Sequence, residues 1–152
     1  MKKIIGIIFI AAFTVACNQT QKKEQTSQKS LNSNQMQIKE VNFNSEGANL
    51  EGNLYLPPNF DESKKYPAIV VSGSWTTVKE QMAGLYAKKL AQEGFITLAF
   101  DFRNFGESEG EPRFYESPEL KKKDVRNAVS FLETQSTINY NKIGAFGVCA
   151  GA

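Results

Sequence analysis

The 152-residue sequence contains no histidine, a single tryptophan and only two cysteines, Cys17 and Cys149. Histidine is the commonest general base at neutral pH, so these residues alone cannot complete a nucleophile–histidine–acid triad. Two cysteines are also too few for the disulfide framework of a small secreted domain. A disulfide between them is possible by count alone, but their positions favour two separate roles.

The sequence also lacks an apolar run long enough to span a bilayer, which needs ~20 residues. The apolar segment Ile4–Val15 follows a short basic start, Met1–Lys3, and precedes Ala16-Cys17. This pattern resembles a bacterial lipoprotein signal, although Thr14 stands where an aliphatic residue is usual. The resemblance implies a lipid on Cys17 and an exported, membrane-anchored lipoprotein on the periplasmic or cell-surface side. An ordinary secretory signal, cleaved near Ala16, is the alternative.

Residues 18–35 have almost no apolar side chains, with Leu31 the only aliphatic one. Such a segment cannot bury enough apolar surface to offset its conformational entropy, so we expect a disordered tether. The predicted organisation is therefore a signal with its lipidation site at 1–17, a tether at 18–35 and a folded region at 36–152.

Charge and composition give little indication of a charged partner or a cofactor. The net charge is only +2, and much of the positive charge lies in the signal and tether. No patch combines basic and aromatic residues, so we expect no nucleic-acid partner. No cluster of metal ligands and no glycine-rich phosphate loop is visible, and we therefore predict no metal and no cofactor.

From residue 36 onward the hydrophobic pattern predicts alternating strands and helices. Two alternating segments, Gln37–Phe43 and Leu50–Leu56, predict an antiparallel hairpin. The later strands are continuous apolar runs, which favours burial on both faces of a parallel sheet. The prediction is thus an α/β fold with a mostly parallel sheet and an N-terminal hairpin; its later strands are Tyr66–Gly73, Phe95–Phe100 and Ile143–Phe146, and its helices are Val78–Glu93 and Pro118–Gln135.

Each predicted helix should turn one apolar face towards the sheet. Helical spacing groups five residues near one face of the first helix: Met82, Leu85, Tyr86, Lys89 and Leu90. It turns four residues of the second helix inward: Leu120, Val125, Val129 and Leu132. Lys121–Lys123 of that helix are predicted to form a solvated face.

The last strand leads into Gly147-Val148-Cys149-Ala150-Gly151. This is the spacing of a nucleophile elbow, G-x-S-x-G, with cysteine in place of serine. In such an elbow the chain turns sharply from strand to helix, and side chains at Gly147 and Gly151 would collide with neighbouring backbone. A helix that begins there aims its first N–H groups at the sulfur and favours the thiolate.

Together with two further segments, the elbow makes region 36–152 resemble the N-terminal part of an α/β-hydrolase, closest to the dienelactone-hydrolase-like and serine-aminopeptidase-like branches. The strand that ends in Val70–Trp75 stands where that family has its oxyanion loop, with Ser72 replacing the frequent histidine. Asp101–Ser108 is similar to the family's D-x-R-G-x-G-x-S loop, with Asn104 in place of the usual glycine.

The resemblance implies a hydrolase of ester, lactone or peptide-like acyl bonds. Cys149 would be the nucleophile, the backbone N–H of Ala150 one oxyanion donor, and Ser74 or Trp75 the second. The family's acidic residue and histidine follow the nucleophile, so we expect the sheet here to be truncated after the elbow strand and the fragment to be inactive alone.

Alternatives stay open for several of these residues. Cys149 could be an inert buried cysteine, and Trp75 could cover the sheet edge instead of lining a pocket. Asp101, Arg103 and Ser108 are expected to connect loops instead of reacting with substrate. For the whole chain, the alternative is a non-catalytic membrane-anchored lipoprotein that retains a hydrolase-like half-fold.

Overall fold

The folded region is built on five strands and two α-helices, and the computed structural model describes residues 35–152. Cys17, the predicted signal and nearly all of the predicted tether lie outside the described residues. Met36–Ala152 forms one compact unit. In chain order its elements are β1 (Gln37–Ser45), β2 (Ala48–Leu56), β3 (Tyr66–Ser72), α1 (Met82–Gln92), β4 (Ile96–Phe100), α2 (Pro118–Glu133) and β5 (Ile138–Gly147), followed by a 3₁₀ turn, Cys149–Gly151.

The strands form one mixed sheet in the order β1-β2-β4-β3-β5. β1 pairs antiparallel with β2, and β2 pairs antiparallel with β4. β3 lies parallel to both of its neighbours, so that Val70 is opposite Leu98 of β4 and Ala145 of β5. The predicted α/β fold with an N-terminal antiparallel hairpin is confirmed. The pairing of β2 with β4 joins the hairpin to the parallel strands.

Each face of the sheet is covered by one helix. The larger cluster of buried side chains includes Leu50, Leu98 and Phe100 and is closed by α2 through Ala128 and Leu132. The smaller cluster lies under α1. Its members are mostly alanines: Ala83, Ala87, Ala91 and Ala99, with Tyr55 and Val71.

The face of α1 that meets the sheet differs from the predicted face. Leu85 is exposed, and the residues buried against the sheet are Ala83, Gly84, Ala87 and Ala91. Space explains the difference, since a Cβ added at Gly84 would lie 2.6 Å from the carbonyl oxygen of Lys79 and 2.9 Å from the Tyr55 hydroxyl. The helix packs too closely for large side chains, so small residues define its inner face.

The inner face of α2 was also predicted incorrectly in part. Its buried residues are Lys121, Asp124, Ala128 and Leu132, whereas Val125 and Val129 are only partly buried. The predicted solvated face therefore does not include Lys121. The helix begins as the sequence indicates, because the Ser117 side chain caps the N–H of Leu120 and Pro118 occupies the first turn.

Among residues 35–152 no helix is both long enough and apolar enough to cross a bilayer.

Candidate active site

Cys149 lies at the tip of the turn that follows β5. Val148 is still extended, and Cys149 then adopts a left-handed backbone conformation with φ of 56°. This conformation is uncommon for a residue with a side chain and costs about 1–2 kcal/mol. Within residues 35–152 the thiol is free and exposed, which favours the predicted role of Cys149 over the alternative of a buried cysteine without testing either.

The two glycines of the elbow allow the backbone to turn back on itself. A Cβ at Gly147 would overlap the carbonyl oxygen of Gly151, and a Cβ at Gly151 would overlap that of Gly73. Gly151 therefore lies directly against the end of β3. The steric reason for small residues at these two positions, predicted from the sequence, applies in the structure.

Ser72 connects the end of β3 to the elbow at two points. Its buried hydroxyl donates to the carbonyl oxygen of Gly151 at 2.6 Å. Its own carbonyl accepts the N–H of Val148 at 3.2 Å. At the position where the resemblance leads one to expect histidine, this serine contributes hydrogen bonds that hold the elbow closed.

The loop between β3 and α1, residues 73–81, lies beside the elbow because Gly73 contacts Gly151. Thr77 fastens this loop, since its N–H and its hydroxyl both donate to the carbonyl of Ser74, at 3.3 and 2.8 Å. Within residues 35–152, the N–H groups of Ser74, Trp75 and Ala150 make no hydrogen bond. Three free backbone donors therefore lie on the two segments that meet at this contact.

Trp75 is 61% exposed. Its role, lining a pocket or covering the edge of the sheet, stays a prediction.

Lys121 lies on the other side of the elbow and was missed by sequence reasoning. Its ammonium group donates to the carbonyl of Ala150 at 3.3 Å, pairs with Glu116 at 2.5 Å and lies 4.6 Å from the ring centre of Phe102. These groups line an open cavity of about 730 Å³ between α2 and the elbow. One lysine among three in sequence gives no signal that would single it out.

Asp101 and Ser108 hold the loop that follows β4. The hydroxyl of Ser108 donates to the carbonyl of Asp101 at 2.6 Å and accepts the N–H of Glu51 at 2.9 Å. The Asp101 carboxylate accepts the N–H of Lys79 at 2.7 Å and that of Glu107 at 3.0 Å.

Arg103 forms a separate buried ion pair. Its Nε and Nη2 atoms donate to Asp124 at 2.9 and 2.7 Å, and Asp124 also accepts the hydroxyl of Ser45. The hydrogen bonds of Asp101, Arg103 and Ser108 fit the predicted role of connecting loops.

The described residues place an exposed thiol and three free backbone N–H groups on two segments that meet, but no imidazole, because the sequence has no histidine. Within 35–152 no group of three or more His, Cys, Asp or Glu side chains is arranged to hold a metal ion. A thiol can attack a carbonyl carbon, and backbone N–H groups can stabilise an oxyanion.

This sheet and its elbow define an α/β-hydrolase, and comparison with known proteins identifies the family. Residues 46–152 match the family described as X-Pro dipeptidyl-peptidase (S15 family). The chain therefore belongs to the S15 family of α/β-hydrolases.

Two relatives show how much of a family member the chain covers. It is 46% identical over 112 residues to the uncharacterised protein YcjY of Escherichia coli K12, covering 74% of this chain and 37% of YcjY. It is 38% identical over 103 residues to the thiohydrolase aneE of Aspergillus aculeatus, covering 68% of this chain and 31% of aneE. The chain thus spans about a third of the length of these relatives.

Two solved structures share the fold. The hypothetical protein PA2218 of Pseudomonas aeruginosa superposes with a TM-score of 0.71 at 41% identity, covering 75% of this chain and 36% of that one. The α/β hydrolase GrgF of a Penicillium species superposes with a TM-score of 0.68 at 25% identity, covering 74% and 38%. The predicted resemblance to α/β-hydrolases is confirmed.

Proposed function

We propose that the protein is an acyl hydrolase that cleaves ester, lactone or peptide-like bonds, with Cys149 as its nucleophile. The observation that carries this proposal is the exposed thiol at positive φ, between two glycines that have no room for a side chain. Strain of this kind persists where the surrounding structure enforces it, and it is concentrated at functional sites. The similarity to a thiohydrolase supports acyl chemistry.

In the proposed reaction the Cys149 thiolate attacks the acyl carbonyl carbon, and a C–S bond forms while the carbonyl oxygen becomes an oxyanion. The N–H of Ala150 and that of Ser74 or Trp75 donate to this oxyanion. Each such donor commonly contributes ~3 kcal/mol to transition-state stabilisation. The C–O or C–N bond then breaks, the leaving group takes the proton lost by the thiol, and water hydrolyses the thioester to restore the thiol.

A base must carry that proton, and the proposal places it outside these 152 residues because they contain no histidine. Activity is therefore tested in the full-length protein as its gene encodes it.

The test compares Cys149→Ala and Cys149→Ser with the wild type on p-nitrophenyl esters. The alanine variant should lose at least ~10³-fold in kcat, since removing a nucleophile disables the whole reaction. The serine variant should retain a weak residual activity. Iodoacetamide should inactivate the wild type, and substrate should protect it.

Full activity in Cys149→Ala, with unchanged circular dichroism, would show that the thiol has no part in the reaction. A wild type without turnover on ester, lactone and peptide substrates would support the alternative, a non-catalytic lipoprotein with a hydrolase-like fold.

We also propose that Cys17 carries a lipid that anchors the protein to a membrane after export. The basic start, the short apolar segment and the polar residues that follow Ala16-Cys17 support this proposal. Cys17→Ser should move the protein from the membrane to the soluble fraction and prevent incorporation of labelled fatty acid. Unchanged fractionation, without label in the wild type, would contradict it.

A further inference from the structure

Lys79 is a buried lysine in the β3–α1 loop, and it contacts three carboxylates. Only 4% of the residue is exposed, and Asp101, its buried partner, is 1% exposed. The ammonium group is 3.2 Å from Asp101 and 3.0 Å from Glu80, and it also contacts Glu107. Burial alone would lower the pKa of Lys79, but its hydrogen bonds to Glu107, Glu80 and Asp101 hold the pKa well above its usual range. The lysine therefore stays charged at any pH used for an assay.

Asp101 fixes the backbone of Lys79 as well as its side chain. One carboxylate oxygen accepts the N–H of Lys79 at 2.7 Å, while the other accepts the ammonium group and the N–H of Glu107. Gly106 packs so closely on this carboxylate that a Cβ there would overlap it. Asp101 directly follows β4, a fully buried strand, so it provides a rigid attachment point.

The β3–α1 loop is thus anchored at both ends. Ser72 joins the first end to the elbow through the carbonyl of Gly151, and Lys79 joins the second end to Asp101. The free N–H groups of Ser74 and Trp75 lie between these anchors. Backbone donors stabilise an oxyanion only when they are held in place before the charge develops.

We propose that Lys79 is a positioning residue of the hydrolase, which holds the N–H donors of the β3–α1 loop beside Cys149 through its ion pair with Asp101. This inference rests on the proposed function. A buried ion pair is weak evidence for added stability, because apolar side chains of similar volume often stabilise a fold equally well. What the pair provides here is a fixed position for a loop that has no regular secondary structure.

The experiment compares Lys79→Met with Lys88→Met in the full-length protein. Lys88 is an exposed lysine on α1, so its variant controls for loss of a positive charge. In Lys79→Met, kcat for p-nitrophenyl esters should fall about 10- to 100-fold, less than the ~10²- to 10³-fold lost when one oxyanion donor is removed. KM should stay within about threefold, because the donors act mainly in the transition state. Lys79→Arg, which keeps the charge, should recover part of the lost kcat.

Alkylation of Cys149 by iodoacetamide separates this role from damage to the elbow, because alkylation forms no oxyanion. Its rate in Lys79→Met should stay within about twofold of the wild-type rate while ester turnover falls. A parallel fall in both rates would place the defect at the elbow and overturn the proposal. A kcat equal to that of Lys88→Met would also overturn it.

The fluorescence anisotropy of Trp75 tests the same inference without any activity. The signal is isolated by subtracting that of a Trp75→Phe variant from each protein. Anisotropy should fall in Lys79→Met and stay unchanged in Lys88→Met. Glu107→Gln, a change at an exposed side chain, should shift it by a smaller amount in the same direction. An unchanged Trp75 anisotropy in both Lys79→Met and Glu107→Gln contradicts the proposal. This result does not depend on whether Cys149 is the nucleophile.

Discussion

β4 and β5 both lie parallel to β3, one on each side, but their surroundings differ. Within residues 35–152, all five residues of β4 are buried, whereas Gly144, Ala145 and Phe146 of β5 are exposed. The loop after β4 is held by ion pairs and hydrogen bonds of buried carboxylates, and the turn after β5 presents an exposed thiol. One side of β3 thus carries a rigid loop, and the other carries the proposed nucleophile. The predictions below test this division, beginning with the largest expected effect.

The largest effect is expected from Asp124→Asn, next to the loop that follows β4. Asp124 is fully buried and is the carboxylate partner of Arg103, so the change leaves the partly buried Arg103 cation without its counter-charge. Breaking such a pair typically costs about 3–5 kcal/mol. Urea denaturation should show this loss in the free energy of unfolding.

The control for this change is Asp61→Asn, which removes the exposed ion pair with Lys64. Exposed pairs contribute little, so we expect no measurable loss of stability. Equal losses of unfolding free energy in Asp124→Asn and Asp61→Asn would contradict the conclusion that buried contacts make the region after β4 rigid.

The next prediction compares the loss of unfolding free energy when an apolar side chain of β4 or of β5 is truncated, and the expected difference is smaller. Leu98 of β4 is completely buried, and Leu98→Ala should cost about 2–5 kcal/mol. Phe146 of β5 is 37% exposed and packs mainly on Tyr86, with ring centres 5.2 Å apart. Phe146→Ala should therefore cost clearly less in the same denaturation experiment. A reversed order would show that β5 contributes more to the core than its exposure indicates.

The smallest effect on stability is expected from substitutions at the elbow. Cys149 has φ of 56°, which glycine adopts more easily than alanine does. Cys149→Gly should therefore be more stable than Cys149→Ala by about 1 kcal/mol, although neither should be active. Thermal unfolding of the two variants measures the difference. A more stable alanine variant would show that the strain inferred at this residue is absent.

The strands could be predicted from the sequence because alternation and continuous apolar runs are local signals. The same signals do not show which elements pack against a strand. Within residues 35–152, three of the four residues Ile143–Phe146 are exposed, although the run is apolar throughout. Exposure depends on what packs against a strand, and a periodic pattern does not contain that information.

The helices show the same limit. Large apolar residues were expected on the inner face of α1, but close packing selects alanine and glycine there. Val78 was expected to begin this helix, but the structure begins it at Met82, after the residue that Asp101 anchors. The N–H of Lys79 donates to Asp101, 22 residues away, and local spacing does not reveal this contact.

The residues predicted for the active site, Cys149, Ala150, Ser74 and Trp75, lie on two segments that meet at Gly73 and Gly151. The elbow spacing around Cys149 has a steric cause that is visible in the sequence, whereas Ser74 and Trp75 were expected only from the resemblance to α/β-hydrolases. Lys121 could not be singled out, since its partner Ala150 is distant in the chain. The catalytic roles of Cys149, Ala150, Ser74 and Trp75 remain predictions.

The contact between Ser72 and Gly151 joins residues that are 79 positions apart. The turn at Cys149 has local hydrogen bonds, such as that from the N–H of Gly151 to the carbonyl of Val148, but Ser72 fixes it from a distant part of the chain. Closing a loop of this length is part of the entropy cost of holding the elbow. We therefore expect the strained position of the thiol to depend on the pairing of β3 with β5, so that local opening of that pairing would release the strain.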